Sequence, residues 1–124
     1  MVGRLSLLGS VCSLSLFVMI AMTVPAEAEQ IAVPSDPSAS YTLLEFETKP
    51  NMIAHITTQR DGRSGRSFSK REVDCGAYKF RYLGDGSTIA RMNASSPDPQ
   101  LSPLIRGSIS EVISSYACRK AGWR

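Results

Sequence analysis

The sequence contains a single histidine, His55, in 124 residues. It has no Cys-x-x-Cys pair, no glycine-rich phosphate loop and no Gly-x-Ser-x-Gly elbow. A zinc site built from paired cysteines and histidines therefore lacks its ligands. No metal, cofactor or catalytic residue is expected, and the chain is read as a non-enzyme. Cysteine is scarce too, with three in all: Cys12, Cys75 and Cys118. Aromatic residues make up only 7%, so the cluster Tyr78, Phe80, Tyr82 carries unusual weight. Its alternation places three rings on one face of a strand, the pattern of a core wall.

Long apolar runs are confined to the N-terminus. Met1-Val-Gly-Arg4 is a short positive segment, residues 5–22 are uncharged and mostly apolar, and Ala26-Glu27-Ala28 is a small-x-small site. Residues 1–28 are expected to be a cleaved signal peptide, with the mature chain starting at Glu29. The alternative is a membrane anchor, since ~18 residues are about enough to span. Ser and Gly in the run, and the lack of a following basic cluster, favour cleavage. Val11 precedes Cys12 where a lipoprotein signal wants a small residue. The expected location is periplasmic or secreted, with no transmembrane segment after cleavage. That compartment excludes intracellular nucleic acid as a partner.

What remains is one small domain at residues 41–124, preceded by an irregular arm at 29–40 that holds Pro34 and Pro37. Cys75 and Cys118 are then the only cysteines left, and an exported chain with two is expected to bridge them. Closing so long a loop is worth about 4 kcal/mol in the loop-entropy model.

Charge is uneven. Residues 29–59 carry four acids and one base, whereas residues 60–124 carry twelve Lys/Arg against six Asp/Glu. The excess begins at Arg60, Arg63 and Arg66 and continues through Lys70 and Arg71. Residues 60–66 contain Gly and Ser and read as a mobile hairpin loop. The five basic residues are candidates for polyanion binding, to an acidic polysaccharide or a membrane surface. The alternative is an ordinary solvated loop.

Alternation predicts strands at residues 41–48, 52–58, 67–75 and 77–83. In the first, Leu44 and Phe46 oppose Glu45 and Glu47. In the third, Phe68, Lys70, Glu72 and Asp74 share a face. Glu72 and Asp74 point the same way, as an acid/base pair would, but cross-strand ion pairing with Lys79 or Arg81 explains them better. His55 has no acid placed beside it by the sequence. Asp85-Gly86 predicts a tight hairpin turn, and residues 87–92 a fifth strand. Residues 104–106 are expected to add a short sixth strand. Ser108-Ile-Ser-Glu111 is a capping box that opens a helix over residues 108–121. Ile109, Val112, Ile113 and Tyr116 form its apolar stripe, and Gly122 ends it. Cys118 then points away from that stripe. Either the helix loosens before Cys118, or it packs on its Tyr116/Ala117 flank.

The fold class is thus α+β: an antiparallel sheet of five or six strands with one C-terminal helix tethered by a disulfide. The segments Glu72-Val-Asp-Cys75, Tyr78-Lys-Phe-Arg-Tyr82, Pro103-Leu104, Gly107-Ser108 and Tyr116-Ala-Cys118 resemble the surface-adhesin protein E domain of Gram-negative bacteria. The likeness spans residues 41–118. It implies a curved six-stranded antiparallel sheet with a disulfide-tethered helix, and a family whose named member binds host extracellular-matrix proteins. The chain lacks the adhesin's lipoprotein cysteine. Three functions are therefore expected in order: an exported binding or structural protein with an extracellular or envelope partner, a polyanion-binding module, and a small periplasmic hydrolase or inhibitor.

Overall fold

The computed structural model describes residues 3, 9, 11–22 and 28–123. Residues 11–22 are exposed and lack helix or strand. The expected signal-peptide n-region at Met1, Val2 and Arg4, and Ala26 and Glu27 of the expected cleavage site, lie outside the described residues. Among the described residues, no helix is long and apolar enough to cross a membrane.

The sheet is a six-stranded antiparallel meander in strand order β1 to β6. Its strands are β1 (Gln30–Ile31), β2 (Ser40–Lys49), β3 (Ile53–Gly62), β4 (Gly65–Asp74), β5 (Lys79–Gly86) and β6 (Ser102–Pro103). A short helix α1 (Ile89–Ala94) and the C-terminal helix α2 (Ile109–Lys120) lie on opposite faces. The arm at residues 29–40 is less irregular than its prolines suggest. Gln30 and Ile31 pair with Thr42 and Tyr41, and Ile31 and Val33 are buried. Asp36 accepts from Arg60 Nε and from the Tyr41 hydroxyl, both at 2.7 Å, fastening the arm to the sheet. The sixth strand forms at Ser102–Pro103 rather than at residues 104–106.

The expected loop at residues 60–66 is a tight hairpin. β3 and β4 pair from Ile53↔Asp74 to Gly62↔Gly65, leaving only Arg63 and Ser64 to turn. Gly65 takes φ 109°, a conformation open to glycine.

Two bulges decide what each face carries. In β2 the register steps from Leu43↔Thr58 to Glu45↔Thr57, so Leu44 is the extra residue. Leu44 is thereby parted from Phe46. Phe46 joins Tyr41 and Leu43 against the core, while Leu44 is 38% exposed. In β5 the step from Lys70↔Gly84 to Arg71↔Tyr82 makes Leu83 the extra residue. It turns Gly84 and Gly86 onto the face that α1 covers.

α1 replaces the expected fifth strand. Thr88 caps it, accepting from the Arg91 amide at 3.1 Å. Ala90, Arg91 and Met92 are strong helix formers. Asp85-Gly86 is no turn; Gly86 ends β5. Met92 is buried over Gly84, on the same face as buried Phe68.

α2 follows its predicted bounds and cap. Ser108 Oγ accepts from the Glu111 amide at 3.1 Å. Glu111 reaches back to the Gly107 amide and takes a 2.6 Å bond from the Tyr78 hydroxyl. The helix ends in a Schellman motif: Gly122 N donates to Arg119 O, and Trp123 N to Cys118 O. The buried stripe is rotated from the expected one. It is Ile113, Ser114, Ala117 and Cys118, all 0% exposed, while Ile109, Val112 and Tyr116 flank it. Small side chains let the helix lie close to the sheet, so the helix stays intact and Cys118 faces inward. Cys75 meets it with Cα atoms 5.8 Å apart, and the disulfide ties α2 to the end of β4. Of the three aromatics, Phe80 and Tyr82 pack edge to face at 5.5 Å. Tyr78 stands in the preceding turn at φ 56°.

Candidate functional site

The face opposite α2 is only partly covered by α1, and the rest is an open groove. Its floor is built by register. Two rows of side chains cross the strands there, one residue pair apart.

The first row is Glu47, His55, Glu72 and Arg81, paired neighbour to neighbour on β2, β3, β4 and β5. Glu72 is held at both oxygens. Arg81 Nε donates to Oε1 and His55 Nε2 to Oε2, each at 2.9 Å. A carboxylate only accepts, so His55 Nε2 is the donor of this bond. Partial burial pushes the Glu72 carboxyl up, but the bonds from Arg81 and His55 outweigh it and hold it below the ordinary carboxylate range. Glu47 is lowered mainly by its 2.8 Å bond from Lys49. The cross-strand ion pair expected of Glu72 is thus present, with Arg81. The His55 contact was hidden in the sequence, because Glu72 is 17 residues away.

The second row is Glu45, Thr57 and Lys70, again direct register partners, running on to Gly84. The bulges at Leu44 and Leu83 bracket it. Thr57 is 2% exposed, yet its hydroxyl has no hydrogen-bond partner. Among the described residues two other buried side-chain oxygens share that condition, Ser114 and Tyr116, both on α2. Of the three residues, Thr57 lines the groove. Glu45, Thr57 and Lys70 line both halves of it, one of about 360 Å³ beside His55 and Glu47, the other of about 230 Å³ beneath α1.

The five basic candidates do not form one surface. Arg60 lies on the α2 face, bonded to Asp36 and Tyr41. Arg63 is exposed at the hairpin tip. Arg66 is paired with Asp61 at 2.7 Å. Lys70 stands in the groove. Arg71 is 3% exposed on the α2 face. It donates to Thr58, Ser110 and Tyr82 hydroxyls at 3.2–3.4 Å and lies 4.8 Å from the centre of the Tyr82 ring. Arg71 is a core residue and does not reach a surface ligand.

No group of three or more His, Cys, Asp or Glu side chains converges to hold a metal ion among the described residues. No family model, curated protein or solved structure matches this chain.

Proposed function

We propose that this protein is an exported, non-enzymatic binding domain whose ligand face is the groove opposite α2. The observation that carries the reading is the fixed row of His55, Glu72 and Arg81 on the groove's face of the sheet, with His55 lining the groove and Glu72 and Arg81 bonded behind it. A carboxylate bonded at both oxygens and held ionised is a positioning group, suited to recognition and poorly suited to trading protons. The hydrolase reading needs a carboxyl raised by burial, and Glu72 is shifted the other way. Export to the periplasm or medium is supported by the Cys75–Cys118 bridge, which forms and persists in oxidising compartments. Kinship with surface-adhesin E domains is supported by the six-stranded meander and its tethered helix. Polyanion binding has less support, because Arg60 and Arg66 are paired with acids and Arg71 is buried.

Amide chemical-shift mapping tests the ligand face. Protein purified from the envelope or medium of expressing cells is titrated with a panel of small solutes and envelope extracts. Shifts gathered on β2, β3 and β4 amides around His55 and Thr57 are expected. Shifts gathered at the Arg63 hairpin, or on α2, would reject this face.

A further inference from the structure

We propose that the row Glu45, Thr57, Lys70 is a binding site for a small zwitterion with an apolar side chain, of the class of the aliphatic α-amino acids. The inference rests on the groove being the ligand face and names what the groove takes.

The argument begins with a contrast between adjacent rows. In the row of His55, Glu72 and Arg81 each side chain is hydrogen-bonded to its neighbour in the row. In the row of Glu45, Thr57 and Lys70, Thr57 Oγ1 is buried without a hydrogen bond. Neither Glu45 nor Lys70 forms an ion pair, although they carry opposite charge and flank the same residue. Lys70 acts on Glu47 only at a distance. A buried hydroxyl left unpaired costs stability, and it is tolerated most readily where a ligand supplies the partner.

Glu45 and Lys70 stand on strands separated by β3, with backbones about 9.6 Å apart, two strand spacings. A small ligand that carries both an ammonium and a carboxylate meets both side chains at once, each through a charge-assisted hydrogen bond. The ligand's ammonium faces Glu45, its carboxylate faces Lys70, and the Thr57 hydroxyl lies between as donor or acceptor. A dianion meets Glu45 and a dication meets Lys70, so each is repelled at one end.

The groove also has an apolar end. Beneath α1 it is lined by Leu44, Ile89 and Met92. Leu44 is pushed out by its bulge and Ile89 is 51% exposed, so neither is consumed by the core. A branched aliphatic side chain extending from the zwitterion covers both.

The test is amide-shift titration of the disulfide-intact protein with L-leucine, N-acetyl-L-leucine, L-leucinamide and glycine. L-Leucine is expected to shift the amides of Glu45, Thr57 and Lys70 at or below about 10 mM, and the other three to bind at least tenfold more weakly. Glu45→Gln and Lys70→Met should each weaken leucine at least tenfold. Thr57→Val should weaken it too, while raising the melting temperature by removing the unpaired hydroxyl; a purely structural Thr57 would show the stabilisation alone. Equal binding of leucine and its blocked analogues overturns the proposal, as does leucine silence at 10 mM. If leucine is silent while a neutral disaccharide or inorganic phosphate shifts the groove amides, the zwitterion class falls and the groove remains the ligand face. If every shift gathers elsewhere, both fall.

Discussion

The Met92 carbonyl occupies the space into which a Cβ on Gly84 would project. Helix α1 therefore sits directly on the backbone of β5, and only glycine at position 84 admits it. Gly86 is in the same position against Arg91 and the Met92 amide. These close approaches, and not a turn, are what the Gly-Asp-Gly stretch provides.

Gly84→Ala is accordingly expected to destabilise the domain by about 1–3 kcal/mol, the usual range for forcing extra atoms into packed structure. The obstruction is helix backbone, so side-chain rotation cannot relieve it. Denaturant midpoints of the variant and parent measure the loss. Hydrogen exchange should show α1 amides opening first. An unchanged midpoint would mean that α1 is not seated on β5.

The disulfide joins α2 to the sheet at Cys75, where β4 ends. A twelve-residue helix is marginal in isolation, and its buried stripe holds Ser114 and Ala117, which bury little apolar area. The tether therefore matters more than it would for a leucine-rich helix. Cys118→Ala should cost on the order of 2–5 kcal/mol and loosen α2 while the β2–β5 meander persists. Thiol titration of the denatured, unreduced protein that begins at Glu29 should find no free thiol. Two free thiols per such chain would refute the bridge.

Where the sequence could be read, one local pattern was sufficient. Alternation in Lys79-Phe80-Arg81-Tyr82 marks β5, and Ser108 with Glu111 marks the start of α2, because period and capping are properties of neighbours in the chain. The buried face of α2 was misread because Ser114 and Ala117 score as weakly apolar. They are core residues because they are small. Leu44 was misplaced because a bulge leaves little trace in an alternating run. The polar rows needed register. With the turn taken as residues 60–66, β3 and β4 have no defined pairing. With the turn at Arg63-Ser64, equal steps in each direction pair His55 with Glu72 and Thr57 with Lys70. The decisive signal was Gly62-Arg-Ser-Gly65, a two-residue turn between glycines.

Acid should unfold the domain through a small set of carboxylates. Asp36 is held below its ordinary value by bonds from Arg60 and Tyr41, and Asp61 by bonds from Arg66 and Gln59. Glu111 is lowered by the Tyr78 hydroxyl first. Glu72 is lowered by Arg81 and His55 against the opposing effect of burial. A group whose pKa is depressed in the folded state stabilises that state above its unfolded pKa, and the stabilisation is lost as pH falls through the folded value. Stability should therefore hold from neutral pH to about pH 5 and fall steeply below about pH 4, the ordinary carboxylate range. Glu72 is bonded by Arg81 and His55, so its neutral analogue leaves Arg81 without its carboxylate. Glu72→Gln should lower the denaturant midpoint at pH 7 and make the acid limb shallower than in the parent, so that the two curves converge once pH has fallen below the depressed folded-state pKa of Glu72. Parallel curves across the whole range would show that Glu72 is not linked to folding and that the His55–Glu72–Arg81 row is not a fixed feature of the folded protein.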